Sequence, residues 1–355
     1  MVRFICTTAL CLALCVAALS SRAAQPGADV LAAAMAAVKQ GNLAQAKTLL
    51  ASVVANYPAS YAAAEASWEL GSIAAHEADR DTALTHFQWA LSRFPASKAA
   101  ADSLLSMAKM DRLKKPFTAV KTLERIIREY PKTGAARAAR LMMAGFSNNR
   151  GERDKAAALA EEVLKDPDAP PSDKAAATVH EATAHLAIWR VRGDSAHLSQ
   201  GITMLDGVMK SFPDCTKQVA QSRLLLAKYF IHTKRPVNDD SLSGSPAKGR
   251  QILQDALKNL PVNYHTWAMK VEIASSYLAE RRYGDVVSEC KALLAENPPM
   301  SWKTYLTYLM GDCQIRAGDK DSGISTLRQL ASSYPQDDWG KQAVLRLKVV
   351  KGGLQ

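Results

Sequence analysis

Eight prolines, Pro58, Pro95, Pro131, Pro167, Pro213, Pro261, Pro298 and Pro335, divide most of this chain into stretches of 36 to 48 residues, and that rhythm limits what it can fold into. Five of them follow an aromatic residue: Tyr57, Phe94, Tyr130, Phe212 and Tyr334. With 15 Pro, 10 Tyr and 7 Phe in 355 residues, chance would supply about 0.7 such pairs, so the pattern is internal repetition. Proline cannot donate the hydrogen bond that propagates a helix, and it disfavours helix for the residue before it. Two positions later stands a residue able to cap a new helix: Ser60, Ser97, Thr133, Asn263 and Asp337.

A second break divides each stretch. Gly41-Asn42, Asp79-Arg80-Asp81, Lys114-Lys115-Pro116, Asn149-Arg150-Gly151, Tyr283-Gly284-Asp285 and Gly318-Asp319 are tight-turn sequences. The unit is helix, short turn, helix, proline-terminated turn. Helices this short are not stable alone, so each must bury its apolar stripe on a neighbour. Abundant alanine favours helix throughout.

The spacing inside the unit resembles the tetratricopeptide repeat. Leu70-Gly71, Ala83, Phe87, Ala90 and Pro95 carry that family's spacing in full. Ala46, Leu50, Val53 and Pro58 repeat its second half, as do Ala119, Leu123, Ile126 and Pro131; Gly311, Gly323, Leu327, Leu330 and Pro335 share the register. The family's large residue before the Leu is replaced by Ser67, with Trp68 displaced by one, and the fourth repeat fits loosely through Lys155 and Glu162. The resemblance implies an all-α, right-handed superhelical solenoid of about eight helical hairpins over residues 24–355, with a C-terminal capping helix from about Trp339 to Val350. The fifth and sixth periods are longer. The fifth has a first helix from about Lys174 to Arg192, and the sixth a polar, flexible loop at 233–246.

The N-terminus reads as an export signal over residues 1–23. Arg3 precedes an uncharged apolar run from Phe4 to Leu19, and Ser21-Arg22-Ala23 offers small residues for cleavage before Ala24. The run is short of the roughly 20 residues of a membrane span, so no span is expected after cleavage; an uncleaved anchor is the alternative. Cys11 and Cys15 follow bulky leucines, which argues against a lipid anchor. The net charge is +11, and loss of Arg3 and Arg22 leaves 43 basic against 34 acidic residues, +9. That suits an acidic partner or an anionic surface, or a basic solvated face. Cys215, Cys290 and Cys313 would remain, an odd number. Cys290 and Cys313 fall where a stacked repeat brings helices together: they are candidates for a disulfide, or two buried thiols.

No constellation for chemistry is complete. His180 and His185 are five apart, where a zinc helix needs four so that both ligands share one face. Gly244 to Gln251 has phosphate-loop glycines but Arg250 and Gln251 where Lys and Ser/Thr belong. Gly193 to His197 lacks the closing glycine of a nucleophile elbow. No catalytic residue, cofactor, metal or nucleic-acid partner is expected.

In this architecture the first helix of each hairpin lines a concave groove. Helical spacing nominates Glu65, Trp68 and Ser72, then Arg137, Arg140 and Asn148, then Arg223, and finally Tyr305, Tyr308, Asp312 and Arg316. Arginine and aromatics interleaved suit an extended peptide. The aromatic-Pro-x-Ser signature is similar to repeats of bacterial envelope proteins, namely the repeat lipoprotein of the β-barrel assembly machine and the coordinator of the Tol–Pal system. That likeness implies an exported envelope scaffold binding a partner segment. Alternatives are a component of a polysaccharide synthesis or export complex, or an accessory domain of a cell-wall-acting enzyme.

Overall fold

The computed structural model describes residues 26–234 and 239–352; the expected export signal, 1–23, lies outside them. Among the described residues there are seventeen α-helices and no strand. They run in pairs: α1 (Ala28–Lys39) and α2 (Leu43–Asn56), α3 (Tyr61–His76) and α4 (Arg80–Arg93), α5 (Lys98–Asp111) and α6 (Pro116–Glu129), α7 (Gly134–Arg150) and α8 (Arg153–Leu164). Then come α9 (Pro171–Arg192) and α10 (Ser195–Ser211), α11 (Thr216–His232) and α12 (Pro246–Asn259), α13 (Thr266–Ala279) and α14 (Tyr283–Ala295), and α15 (Met300–Arg316) and α16 (Lys320–Ser333). A closing helix, α17 (Asp338–Gly352), follows. The chain forms two compact units, one ending at Met143 and the other beginning at Ala144.

The expected punctuation is made by hydrogen bonds. Helices α2, α4, α6, α10 and α16 end at the aromatic before proline, whose φ lies between −129 and −138°. Ser60, Ser97 and Thr133 then accept from the backbone N–H three residues on, at 3.1, 3.0 and 3.2 Å. Asn263 and Asp337 accept from His265 and Trp339, both at 2.8 Å. In the short turns the left-handed residue is Gly41, Gly151 or Gly318, but Ala78 (φ 62°) and Arg281 (φ 59°) hold the same place in the second and seventh hairpins. There a side chain costs about 1 kcal/mol or more relative to glycine.

Within the first unit each of α1 to α6 packs on the next, and the first helices α1, α3 and α5 also meet. In the second unit α8 to α17 do the same, with α9, α11, α13, α15 and α17 in successive contact. The large position of the second helices, Leu50, Phe87, Leu123, Leu205, Leu253 and Leu327, is fully buried throughout. Each such side chain contributes roughly 1.5–3 kcal/mol. Gly71 shows why the position across the hairpin stays small: a Cβ there would lie 2.6 Å from Phe87 Cε1.

Three expectations change. The fourth repeat is regular, but one residue later than Pro167 implies: Ala156, Ala160 and Val163 are fully buried at the three core positions, so Lys155 and Glu162 are not core residues. Helix α9 begins at Pro171, ahead of its expected start at Lys174, because proline is tolerated at the first helical position. Within the loop expected at 233–246, the residues from Asp239 on make a turn with hydrogen bonds to the flanking helices. Asp240–Leu242 is a 3₁₀ turn, the Tyr229 hydroxyl donates to the Leu242 carbonyl at 2.6 Å, and Lys248 Nζ donates to the Ser241 carbonyl at 2.8 Å. Helix α17 packs Trp339, Ala343 and Leu347 onto Leu327 and Leu330. Its other side leaves Val344, Leu345 and Val349 exposed rather than polar.

Candidate protein-binding face

In the first unit α3 and α5 lie side by side as first helices of adjacent hairpins. Ser67 is turned inward, fully buried, with its hydroxyl donating to the His86 carbonyl at 3.0 Å. The next residue, Trp68, therefore sits at the helix margin, half-buried. Its indole N–H donates to Ser106 Oγ on α5 at 3.3 Å, and Lys98 Nζ stands 5.7 Å from its ring centre. Lys98 in turn pairs with Asp102 at 2.6 Å. Glu65 is exposed one turn before Trp68, and Ser72 is half-buried one turn after it. Burial raises the Glu69 carboxyl above its ordinary range; Lys98 opposes that, while Glu65 and Asp102 add to it. The Asp102 hydrogen bond leads the causes that hold the Lys98 ammonium above its ordinary value. One aromatic anchor thus stands among three carboxylates and one ammonium.

The other nominated residues go elsewhere. Arg137 and Arg140 on α7 are half-buried, and Arg140 Nη1 donates to the Pro131 carbonyl at 3.4 Å. In the second unit Asn148 Nδ2 donates to the His180 carbonyl at 3.0 Å, a structural bond. Arg223 is buried and pairs with Asp206 on α10 at 2.8 Å, so it faces a second helix rather than a first-helix surface. No Leu-Gly step marks α11 in the sequence, and the facing could not be counted from one. Tyr305 and Tyr308 lie against Trp339 of α17, with ring centres 4.7 and 5.1 Å apart. Asp312 is buried between Arg316, at 2.7 Å, and Arg346 of α17, at 2.6 Å. Tyr305, Tyr308 and Asp312 form the seam under the closing helix, and Arg316 stands beside it, 5.8 Å from the Tyr283 ring of α14. Burial pushes the Tyr305 and Tyr308 hydroxyls above their ordinary value.

Sequence spacing missed Glu69, Lys98 and Asp102; the signals for them were the four-residue steps from Glu65 to Glu69 and from Lys98 to Asp102. It also missed Glu272 on α13, buried, hydrogen-bonded with His232 and ion-paired with Lys228 at 3.6 Å, both on α11. Cys290 and Cys313 are buried free thiols, so the candidate disulfide is not formed here. Burial pushes the Cys290 thiol up to about 12 and the Cys313 thiol to about 11. His185 does not align with His180 but with His197 of α10, their Nδ1 atoms 2.7 Å apart. Among the described residues no three His, Cys, Asp or Glu side chains form a metal-binding group, and no helix is long and apolar enough to cross a membrane.

This architecture, paired helices stacked through buried small and large positions, defines a helical-hairpin repeat protein. Residues 30–60, 102–133 and 306–337, on α1–α2, α5–α6 and α15–α16, match the tetratricopeptide repeat family, so the chain carries repeats of that kind. Its fold is like that of a tetratricopeptide repeat protein from Parabacteroides merdae, with TM-score 0.53 and 14% identity over 80% of this chain and 97% of that one. It is also like human IFIT1, solved as a dimer with m7Gppp-AAAA, with TM-score 0.55 and 15% identity over 89% and 70%. No curated protein matches the sequence. Proteins of this repeat type are generally non-catalytic scaffolds that bind other proteins.

Proposed function

We propose that this chain is an exported, non-catalytic adaptor of the bacterial cell envelope that holds an extended segment of a partner protein on its first helices. The observation that carries the binding role is the face shared by α3 and α5, where Trp68 is fixed by Ser106 and flanked by Lys98. A rigid aromatic in a polar surround is the usual anchor of a protein interface. Glu65, Glu69 and Asp102 around it suit a segment carrying Lys or Arg, although the chain as a whole is basic and by that measure suits an acidic one. Export rests on Arg3, the apolar run from Phe4 to Leu19 and Ser21-Arg22-Ala23.

The test places a photo-crosslinking residue at Glu65 in intact cells, with Lys121, exposed on α6, as the control position. A discrete protein adduct from position 65, absent from position 121 and lost with Trp68→Ala, is expected. Equal labelling at both positions, or none at 65, overturns the binding role. The N-terminal peptide of the native protein is expected to begin at Ala24; an N-terminus at Met1 in a cytoplasmic fraction overturns export.

A further inference from the structure

The irregular stretch of the repeat encloses a cleft. In the second unit α10 and α12, second helices of the fifth and sixth hairpins, part around a cavity of about 600 Å³. A smaller cavity of about 290 Å³ continues it along Asp255 and Asn259. Leu226 and Phe230 of α11 form the floor, both nearly fully buried. Ile202 of α10, Ile252 of α12 and Leu242 of the 3₁₀ turn form the walls. The extra residues of the sixth period thus supply one wall, through a turn anchored to Tyr229 and Lys248. Insertions in repeat proteins commonly build binding features in this way.

Gly207 separates this cleft from an accidental gap. Glycine inside a helix destabilises it relative to alanine, so an interior glycine needs a reason. At Gly71, Gly201, Gly249, Gly311 and Gly323 the reason is a neighbour: a Cβ would meet another side chain within 2.5–2.9 Å. Gly207 also lies well inside its helix, but a Cβ there would meet nothing within 4 Å; it would project into the cleft. The lining also carries Lys210, Arg223 and Lys248 against one carboxylate, Asp206. Arg223 and Lys210 share Asp206, at 2.8 and 3.4 Å. Lys248 covers the Phe230 ring at 3.9 Å and bonds a carbonyl. An apolar floor with a cationic rim is the arrangement that takes an apolar body ending in an anion.

We propose that the α10–α12 cleft binds a small amphipathic carboxylate, its chain laid over Gly207 against the partly exposed Ile202, Leu242 and Ile252 and its carboxylate between Lys210 and Lys248. The probe is decanoate, titrated calorimetrically into the full chain beside decyltrimethylammonium and 1-decanol. Saturable decanoate binding is expected, about tenfold tighter than that of the cation of equal length. Gly207→Leu is expected to weaken decanoate binding about tenfold or more while the thermal midpoint holds or rises, because leucine is the better helix former. Lys248→Gln is expected to weaken decanoate and leave decanol unchanged. Should Gly207→Leu fail to fold, Gly207→Ala serves, with a raised midpoint and weaker decanoate binding. No saturable binding below about 1 mM, unchanged affinity in the folded Gly207 variant, or equal affinity for the cation overturns the proposal.

Discussion

A single histidine pair shows how burial turns into pH dependence. His185 and His197 stack with ring centres 4.9 Å apart and their Nδ1 atoms in contact, so at most one proton fits between them. Glu181 lies 3.7 Å from His185 Nε2 and Asp194 lies 3.9 Å from His197 Nε2. Glu161 of α8 and Lys165, just past its end, also act on the Glu181 carboxyl. Burial, and then His197, hold His185 below its ordinary value, and burial does the same to His180. The folded state therefore binds fewer protons than the unfolded chain near pH 6. Stability from these groups is complete above the ordinary histidine value and is lost as pH falls through it toward the depressed folded value. Urea unfolding at pH 7 and pH 5 checks this. His185→Gln should flatten the pH slope by up to about 1.4 kcal/mol per pH unit, one proton's worth. Parallel slopes in the variant and the parent would refute it. The pair was invisible in the sequence, where His185 invited comparison with His180, because contact between α9 and α10 is set by packing and not by spacing along either helix.

The hairpin is the element that the sequence states most clearly. Ala83, Phe87 and Ala90 were identifiable by spacing, and all three are fully buried. Phe87 closes on Gly71, with 2.6 Å to the position a Cβ would take. Gly71→Ala gains helix propensity of about 1 kcal/mol but overpacks the crossing, at a cost of roughly 1–3 kcal/mol. Denaturant unfolding should show Gly71→Ala destabilised, and Phe87→Leu should recover part of the loss in the double variant. Simple additivity of the two changes would contradict the close packing. Where the sequence reading slipped, in the fourth hairpin, it followed Pro167. The core register there obeys Ala156, Ala160 and Val163 instead, because burial decides which side of a helix faces inward and the proline marks only where the helix must stop. The loop at 233–246 reads as polar, and within it Tyr229 and Lys248 bond the turn at Asp240–Leu242.

For the molecule as a whole, the closing helix governs how much of the C-terminal seam is open. Without α17, Tyr305 and Tyr308 lose Trp339, Leu327 and Leu330 lose Ala343 and Leu347, and Asp312 loses Arg346. A chain ending at Asp337 should unfold more easily by on the order of 3 kcal/mol and expose apolar surface to a dye such as ANS. Unfolding unchanged from the parent would show that the seam holds without its cover. The sequence by itself determined the helices, their pairing and, outside the fourth hairpin, their core positions, because proline, capping side chains and apolar spacing act within a few residues of one another. Only the tertiary structure decided which charged and aromatic residues stay open to a partner. Trp68 and Glu65 remain on a face completed by Lys98 and Asp102 of the next first helix, while Arg223, Tyr308 and Asp312 are taken up by α10 and α17. Helical spacing fixes the direction in which a side chain leaves its own helix, but a neighbouring helix determines whether that direction ends in water or in another residue.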